Sequence, residues 1–241
     1  MVTLKMAIIF LMEQIRTPFS LIWTIMSPTV LFFFLHFNEI ELHYGDTAWL
    51  GKQISWFVGY ISFSVVLFNY CLYLVGRRES GFIATFVHNM DDRLLFIRSQ
   101  LIASLIMSIL YVFFFILVVL TGFQASPDYQ IVMIILKSIY INAFMMVSLT
   151  FMASFRVTFQ TASTIYSVLI TVCMVSGIVS LKYNEGIVYW INQVNPIAIY
   201  STILQSDQEL SLMTIFFYSI MLIISIISAL TFKTEPVWSS Q

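Results

Sequence analysis

GRRESGFIATFVHNMDDRLLFIR (76–98) is the one long charged stretch in a chain that is otherwise soluble in lipid. Apolar runs flank it at 54–75 and 99–122. Each is long enough to cross a hydrocarbon core of about 30 Å, which takes roughly 20 helical residues. A charged, helix-forming loop held between two crossings at a membrane face is where a soluble partner can apply force. The chain therefore reads as an α-helical membrane protein whose source of energy lies on another chain.

Composition agrees. Charged residues make up 10% of the 241 and apolar residues 60%, with a mean hydropathy of +0.93. A soluble domain usually carries about 25% charge, so most of this chain cannot face water. A net charge of −1 gives no basis for binding nucleic acid. The apolar run 6–12 ends in Glu13, Gln14 and Arg16 with no small-residue cleavage site, so it does not read as a removable signal. Cys71 and Cys173 each lie inside an apolar run, the setting of a buried thiol rather than a disulfide or a metal ligand.

Hydropathy divides residues 1–241 into a single transmembrane domain. Residues 1–17 fit an interfacial helix lying on the membrane, because Pro18 disfavours a helical residue before it. Six transmembrane helices are expected, at 19–37 (kinked at Pro28), 54–75, 99–122, 131–154, 158–181 and 210–232. Residues 184–204 hold too few consecutive apolar positions for a full crossing. Asn192, Gln193 and Asn195, just before Pro196, predict a broken or re-entrant helix pair near the outer surface, tolerated only when buried in protein. An interfacial loop anchored by Tyr189, Trp190 and Tyr200 is the alternative.

Basic residues orient the whole. With the N-terminus inside, inner segments hold Lys5, Arg16, Arg77, Arg78, Arg93, Arg98, Arg156 and Lys233, whereas outer segments hold Lys52 and Lys182. The positive-inside bias puts both termini and the charged loop in the cytoplasm of a multi-pass plasma-membrane protein.

No stretch matches GxxxxGK[ST], HExxH or GxSxG, so neither a phosphate loop nor a catalytic residue is assigned. Polar residues inside the spans are the remaining clues, since each is costly against lipid. Span two carries Ser55, Gly59, Ser62, Asn69 and Tyr73 at helical spacing, and span five carries Gln160, Thr164, Ser167 and Thr171. Such stripes point to a translocation path or to a packed helix interface. Span three has a similar row in Gln100, Ser104, Ser108 and Tyr111. Lys137 reads as snorkelling to the outer interface, with Asn142 deeper in the same span. His36, His43 and His88 are dispersed and imply no metal, and Asp91 and Asp92 read as solvated charges.

Three segments together resemble the permease subunits of ABC transporters of the type-2 export class. RTPFSLIWTIMSPTVLFFF (16–34) is similar to the start of that family's first span. RRESGFIATF (77–86) is similar to its Glu-x-x-Gly coupling helix, and NPIAIYSTIL (195–204) to its external segment before the last span. One departure is HNMDD (88–92), where the family often has a proline.

The resemblance implies a cytoplasmic coupling helix around 78–88 that docks on a nucleotide-binding ATPase subunit through Arg77, Arg78, Glu79, Gly81, Phe82, Ile83 and Phe86. It also implies a second permease, as homodimer or heterodimer. The translocation path would take in Ser62, Asn69, Tyr73, Gln160, Thr164, Ser167 and Thr171, and the external gate Asn192, Asn195 and Pro196. ATP and Mg would sit on the partner, with no cofactor on this chain. The 23 phenylalanines fit a hydrophobic or amphipathic cargo, an amphipathic peptide first, then a lipid-linked molecule or a drug. The rival readings are a membrane-embedded enzyme acting on lipid or peptide, and a passive channel or immunity protein.

Overall fold

The structure is a computed structural model that describes residues 2–16, 18–87, 89–180, 185–205 and 212–232. Among these the chain is 87% helix with no strand, which makes it an all-α protein. In chain order the helices are α1 (Val2–Ile15), α2 (Pro18–Leu35), α3 (Thr47–Ser64), α4 (Tyr73–Glu79), α5 (Phe82–Phe86) and α6 (Met90–Gly122). There follow α7 (Tyr129–Leu149), α8 (Phe151–Ser154), α9 (Phe159–Ser180), α10 (Gly186–Val194), α11 (Pro196–Gln205) and α12 (Leu212–Leu230). A π-helical segment, Val65–Leu72, joins α3 to α4. His88, Lys182 and Lys233, and the side chains of residues 19–23, lie outside what the structure describes.

Among the described residues four helical stretches are long and apolar enough to cross a membrane: Thr47–Glu79, Met90–Gly122, Tyr129–Ser154 and Phe159–Val179. They coincide with the spans expected at 54–75, 99–122, 131–154 and 158–181. Shorter apolar stretches, Thr24–Leu35 and Thr214–Leu230, lie within α2 and α12. The chain thus has the helices of a protein that passes the membrane several times.

Two of the four run well past the expected ends. Thr47–Glu79 and α6 each have 33 residues, about 50 Å at 1.5 Å per residue. Their charged ends therefore project beyond a hydrocarbon core of about 30 Å. Side-chain caps explain the early starts. Asp46 Oδ1 accepts from the Trp49 amide at 3.0 Å, and Asn89 Oδ1 accepts from the Asp92 amide at 2.9 Å. Asp91 and Asp92 occupy the first turn of α6, where the helix dipole favours negative charge, so they begin this helix rather than float in a loop.

Asp128 caps α7 through the Ile131 amide at 3.1 Å and accepts the Thr47 hydroxyl at 2.6 Å. That hydroxyl, with the cap amides, holds the Asp128 carboxyl below its ordinary value. The Trp49 amide does the same for Asp46.

The Thr47–Glu79 helix is central, with 78% of its most apolar window buried, against 28% for α9 at the periphery. Near the Thr47 end of this helix Phe32 packs edge-on against Phe57 at 5.0 Å and Phe115 at 5.7 Å, a geometry that aromatic quadrupoles favour. At the other end Phe10 anchors α1 on Phe96 at 5.4 Å. Val2, Leu4, Ile8 and Met12 of α1 stay exposed, an apolar face of the kind an interfacial helix turns to lipid.

Candidate coupling segment and transmembrane groove

The sequence predicts one short helix over 78–88; the structure breaks it. Helix α4 ends at Glu79, Gly81 takes φ 75°, and α5 occupies only Phe82–Phe86. Glycine is at ease in that left-handed conformation, where a Cβ is strained. The reversal re-aims the apolar residues. Ile83 and Val87 turn inward and are buried, Phe82 lies 4.8 Å under the Arg77 guanidinium, and Phe86 projects at 62% exposure.

Three consecutive charged residues bind this segment to three other elements. Arg77 forms an ion pair with Glu13 of α1, and Tyr73 donates to the same carboxylate at 2.7 Å. The resemblance puts Arg78 among the residues of a docking surface, yet it is 1% exposed. Its guanidinium donates to the carbonyls of Ala153 at 3.0 Å, Phe155 at 2.7 Å and Val157 at 3.2 Å, across the α8–α9 turn. Those carbonyls lack helical partners where the chain reverses, and the planar five-donor fork of arginine suits them. Glu79 accepts from the Phe159 amide at the start of α9, a negative group at a helix N-terminus. Any displacement of residues 77–87 is therefore carried to α1 and α9.

Between α2, the α3–π junction and α9 lies a groove of about 450 Å³ lined by Ser27, Tyr60, Ser64, Asn69, Ser167 and Thr171 among others. It brings together Asn69, Ser167 and Thr171 of the predicted path; Ser62, Tyr73, Gln160 and Thr164 lie outside it. The span-five stripe does share one face, since Gln160, Thr164, Ser167 and Thr171 are all exposed along α9. Thr164, Ser167 and Thr171 each donate to the carbonyl four residues back, at 3.1, 2.8 and 2.7 Å.

The span-two stripe divides. Ser55, Gly59 and Ser62 are buried, and Gly59 abuts α11, where an added Cβ would lie 2.8 Å from Tyr200 Cβ and 2.9 Å from the Ile197 carbonyl oxygen. Asn69 and Tyr73 turn toward α1, with Asn69 Nδ2 3.4 Å from Gln14 Oε1 and 3.5 Å from the Tyr111 hydroxyl of α6. The π segment separates the two halves: its wider turns advance less about the axis per residue, so a row drawn at α-helical spacing drifts off its face. The Asn69 carbonyl also accepts from Gln100 Nε2 at 2.7 Å and Ser104 at 3.1 Å, which assigns part of the span-three row to packing.

Helices α10 and α11 form an elbow at Asn195. The Asn195 amide donates to the Cys173 carbonyl at 2.8 Å and to Ser176 at 3.1 Å, while its oxygen accepts from the Ile197 amide at 3.0 Å. Pro196 then opens α11, a position where its missing N–H costs nothing. Helix α11 runs back along α3, from Gly59 at the elbow to the Lys52 carbonyl, which accepts from Gln205 at 3.2 Å. Gly59 lies about 18 Å along the axis from Thr47. Tyr200 locks the pair from within, donating to Asn142 Oδ1 at 2.6 Å, and Asn142 donates on to Ser108 at 2.8 Å. Asn192 and Pro196 are half-buried beside the elbow.

Lys137 and Lys52 line a separate cavity of about 500 Å³ between the N-terminal parts of α3 and α7 and the end of α11. Among the described residues no three His, Cys, Asp or Glu side chains converge as a metal site, and Cys71 and Cys173 are free and buried. No family model matches the chain.

Sequence reasoning missed Glu13 and Tyr60. Glu13 had a signal, being the only acidic residue before Glu39 and so the natural partner for an inner-face arginine. Tyr60 had none, as an aromatic in an apolar span looks like filler.

Proposed function

We propose that this chain is the permease subunit of an ATP-driven exporter of the ABC type-2 export class, driven by a separate nucleotide-binding subunit. The observation that carries the reading is the clamp at residues 77–79. A soluble ATPase pressing on the exposed Phe86 would move α5. Arg77, Arg78 and Glu79 would pass that motion to α1, the α8–α9 turn and α9. Helix α9 borders the polar groove, so the same push alters the width of the path. ATP and Mg belong to the partner, and hydrolysis supplies the alternation between closed and open.

In this reading α2 and α12 are the first and sixth crossings. Their 18 and 19 residues give about 27 and 28 Å, enough for a hydrocarbon core of about 30 Å with its polar margins. The α10–α11 elbow is a re-entrant external gate, supported by its burial against α3 and by the satisfied amide of Asn195. A second permease covers the exposed hydroxyl face of α9, so that two grooves face one another. The bias of the basic residues supports a plasma-membrane protein with both termini in the cytoplasm. The cargo is hydrophobic or amphipathic, an amphipathic peptide first.

Affinity purification in mild detergent tests the reading. An ATPase subunit is expected to co-elute in stoichiometric amount, with vanadate-sensitive hydrolysis. Phe86→Asp should abolish that association while leaving the permease monodisperse. Isolation of the chain with no ATPase would overturn the exporter and favour a passive channel or immunity protein. Unchanged association of Phe86→Asp would overturn α5 as the docking element.

A further inference from the structure

We infer that the groove selects an uncharged amphipath whose headgroup carries several O–H or N–H donors. The inference deepens the reading of the groove as the path and rests on it. Among the described residues no Asp, Glu, Lys, Arg or His lines the groove. A charged group brought there finds no counter-ion at membrane depth, where an unpaired charge is costly.

Three of the polar groups present acceptors. Ser167 and Thr171 spend their protons on the Ser163 and Ser167 carbonyls, which leaves hydroxyl lone pairs on the exposed side. Asn69 directs its amide hydrogens at Gln14 and Tyr111, so its oxygen is the remaining acceptor. The hydroxyls of Ser27, Tyr60 and Ser64 share the lining, so neutral donors stand beside these acceptors, and a headgroup of several hydroxyls, each donor and acceptor at once, complements both.

Apolar surface flanks these acceptors, with Phe68, Leu72 and Ile170 lining the same groove, so a hydrocarbon portion is held beside the polar one. The volume of about 450 Å³ falls within the range of small-molecule sites, about 300–1,000 Å³. A sugar or polyol headgroup on an alkyl chain meets every requirement. A phosphate or sulfate does not, because it brings a negative charge that no cation on the described lining balances.

The test uses the full chain in nanodiscs, each carrying one of three photoreactive lipids that share a diazirine beside the headgroup. The headgroups are a neutral galactosyl, an anionic phosphoglycerol and a cationic trimethylammonium. Peptides covering residues 60–72 and 159–180 should be labelled by the galactosyl lipid well above the other two. Ser167→Val with Thr171→Val should cut that labelling by about tenfold, as expected for the loss of two neutral hydrogen bonds. Labelling of α1 should not change. Equal or greater labelling of the groove by either charged lipid would overturn the inference, and so would galactosyl labelling that the double variant leaves intact. If the ATPase fails to co-purify while the neutral preference holds, the exporter falls and the selectivity stands. If the ATPase co-purifies and the preference is absent, only the ligand class falls.

Discussion

Removing the Arg78 side chain tests the clamp most directly. Three carbonyls, those of Ala153, Phe155 and Val157, accept from one buried guanidinium at 2.7–3.2 Å. A hydrogen bond from a charged donor contributes about 1.5–3 kcal/mol, so three together have a gross strength of about 4.5–9 kcal/mol. Burying the cation offsets several kcal/mol of this. The Phe155 carbonyl also keeps a bond from the Val157 amide at 2.9 Å. Arg78→Ala leaves the Ala153 and Val157 carbonyls without this donor and should then cost about 2–6 kcal/mol, at about 1–3 kcal/mol for each unsatisfied buried carbonyl. Arg78→Lys keeps the charge but loses the fork, and should cost about 2 kcal/mol by the loss of one or two such bonds. The assay is equilibrium unfolding in mixed micelles, with amide exchange of α8 and the start of α9 as a local readout. A loss below about 1 kcal/mol for Arg78→Ala, at the level of a surface pair, would refute the clamp. Arg78→Lys matching the wild type would refute it equally. If Arg78→Ala stays stable but releases the ATPase, the arginine belongs to the docking rim after all.

Further outcomes follow from other contacts. Tyr200→Phe leaves Asn142 Oδ1 without its donor and should destabilise by about 1–3 kcal/mol. Tyr200→Phe with Asn142→Leu should cost less than the sum of the two single changes, as a double-mutant cycle would show. Gly59→Ala places a Cβ 2.8 Å from Tyr200 Cβ; it should cost about 1–3 kcal/mol of overpacking and raise exchange across α11. Because Asp128 has its folded pKa depressed below 3.8, its stabilising contribution is present above that ordinary value and is lost as pH falls through the folded value. Protection of the Ile131 amide, taken relative to the intrinsic exchange rate at each pH, should therefore fall on acidification, and Asp128→Asn, which keeps the cap oxygen, should flatten that fall.

Four of the expected spans were legible because their signal is composition, which survives any detail of packing. The helix at Phe159–Ser180 begins and ends within about a residue of expectation, and the elbow at Asn195–Pro196 falls where the amides and the proline put it. Charged residues misled at the helix ends. Arginines near a membrane face read as solvated, yet Arg78 is buried because the α8–α9 turn, 75 residues on, offers carbonyls that no local pattern announces. The break at Gly81 was equally hidden, since glycine is compatible with a short helix as well as with a reversal. The π segment leaves no mark in residue types, because it changes hydrogen-bond spacing rather than hydropathy. That is why half of the span-two stripe lay on another face than expected.

Eight residues of π helix in mid-span amount to a spare residue wound into an otherwise regular rod. Such a surplus can be handed along the rod one bond at a time, each amide exchanging one carbonyl for its neighbour. As it passes, everything below turns by about 100°, the angle one α-helical residue subtends. The Thr47 end and the Glu79 end are thus joined by a swivel, and one can turn against the other without melting a single turn.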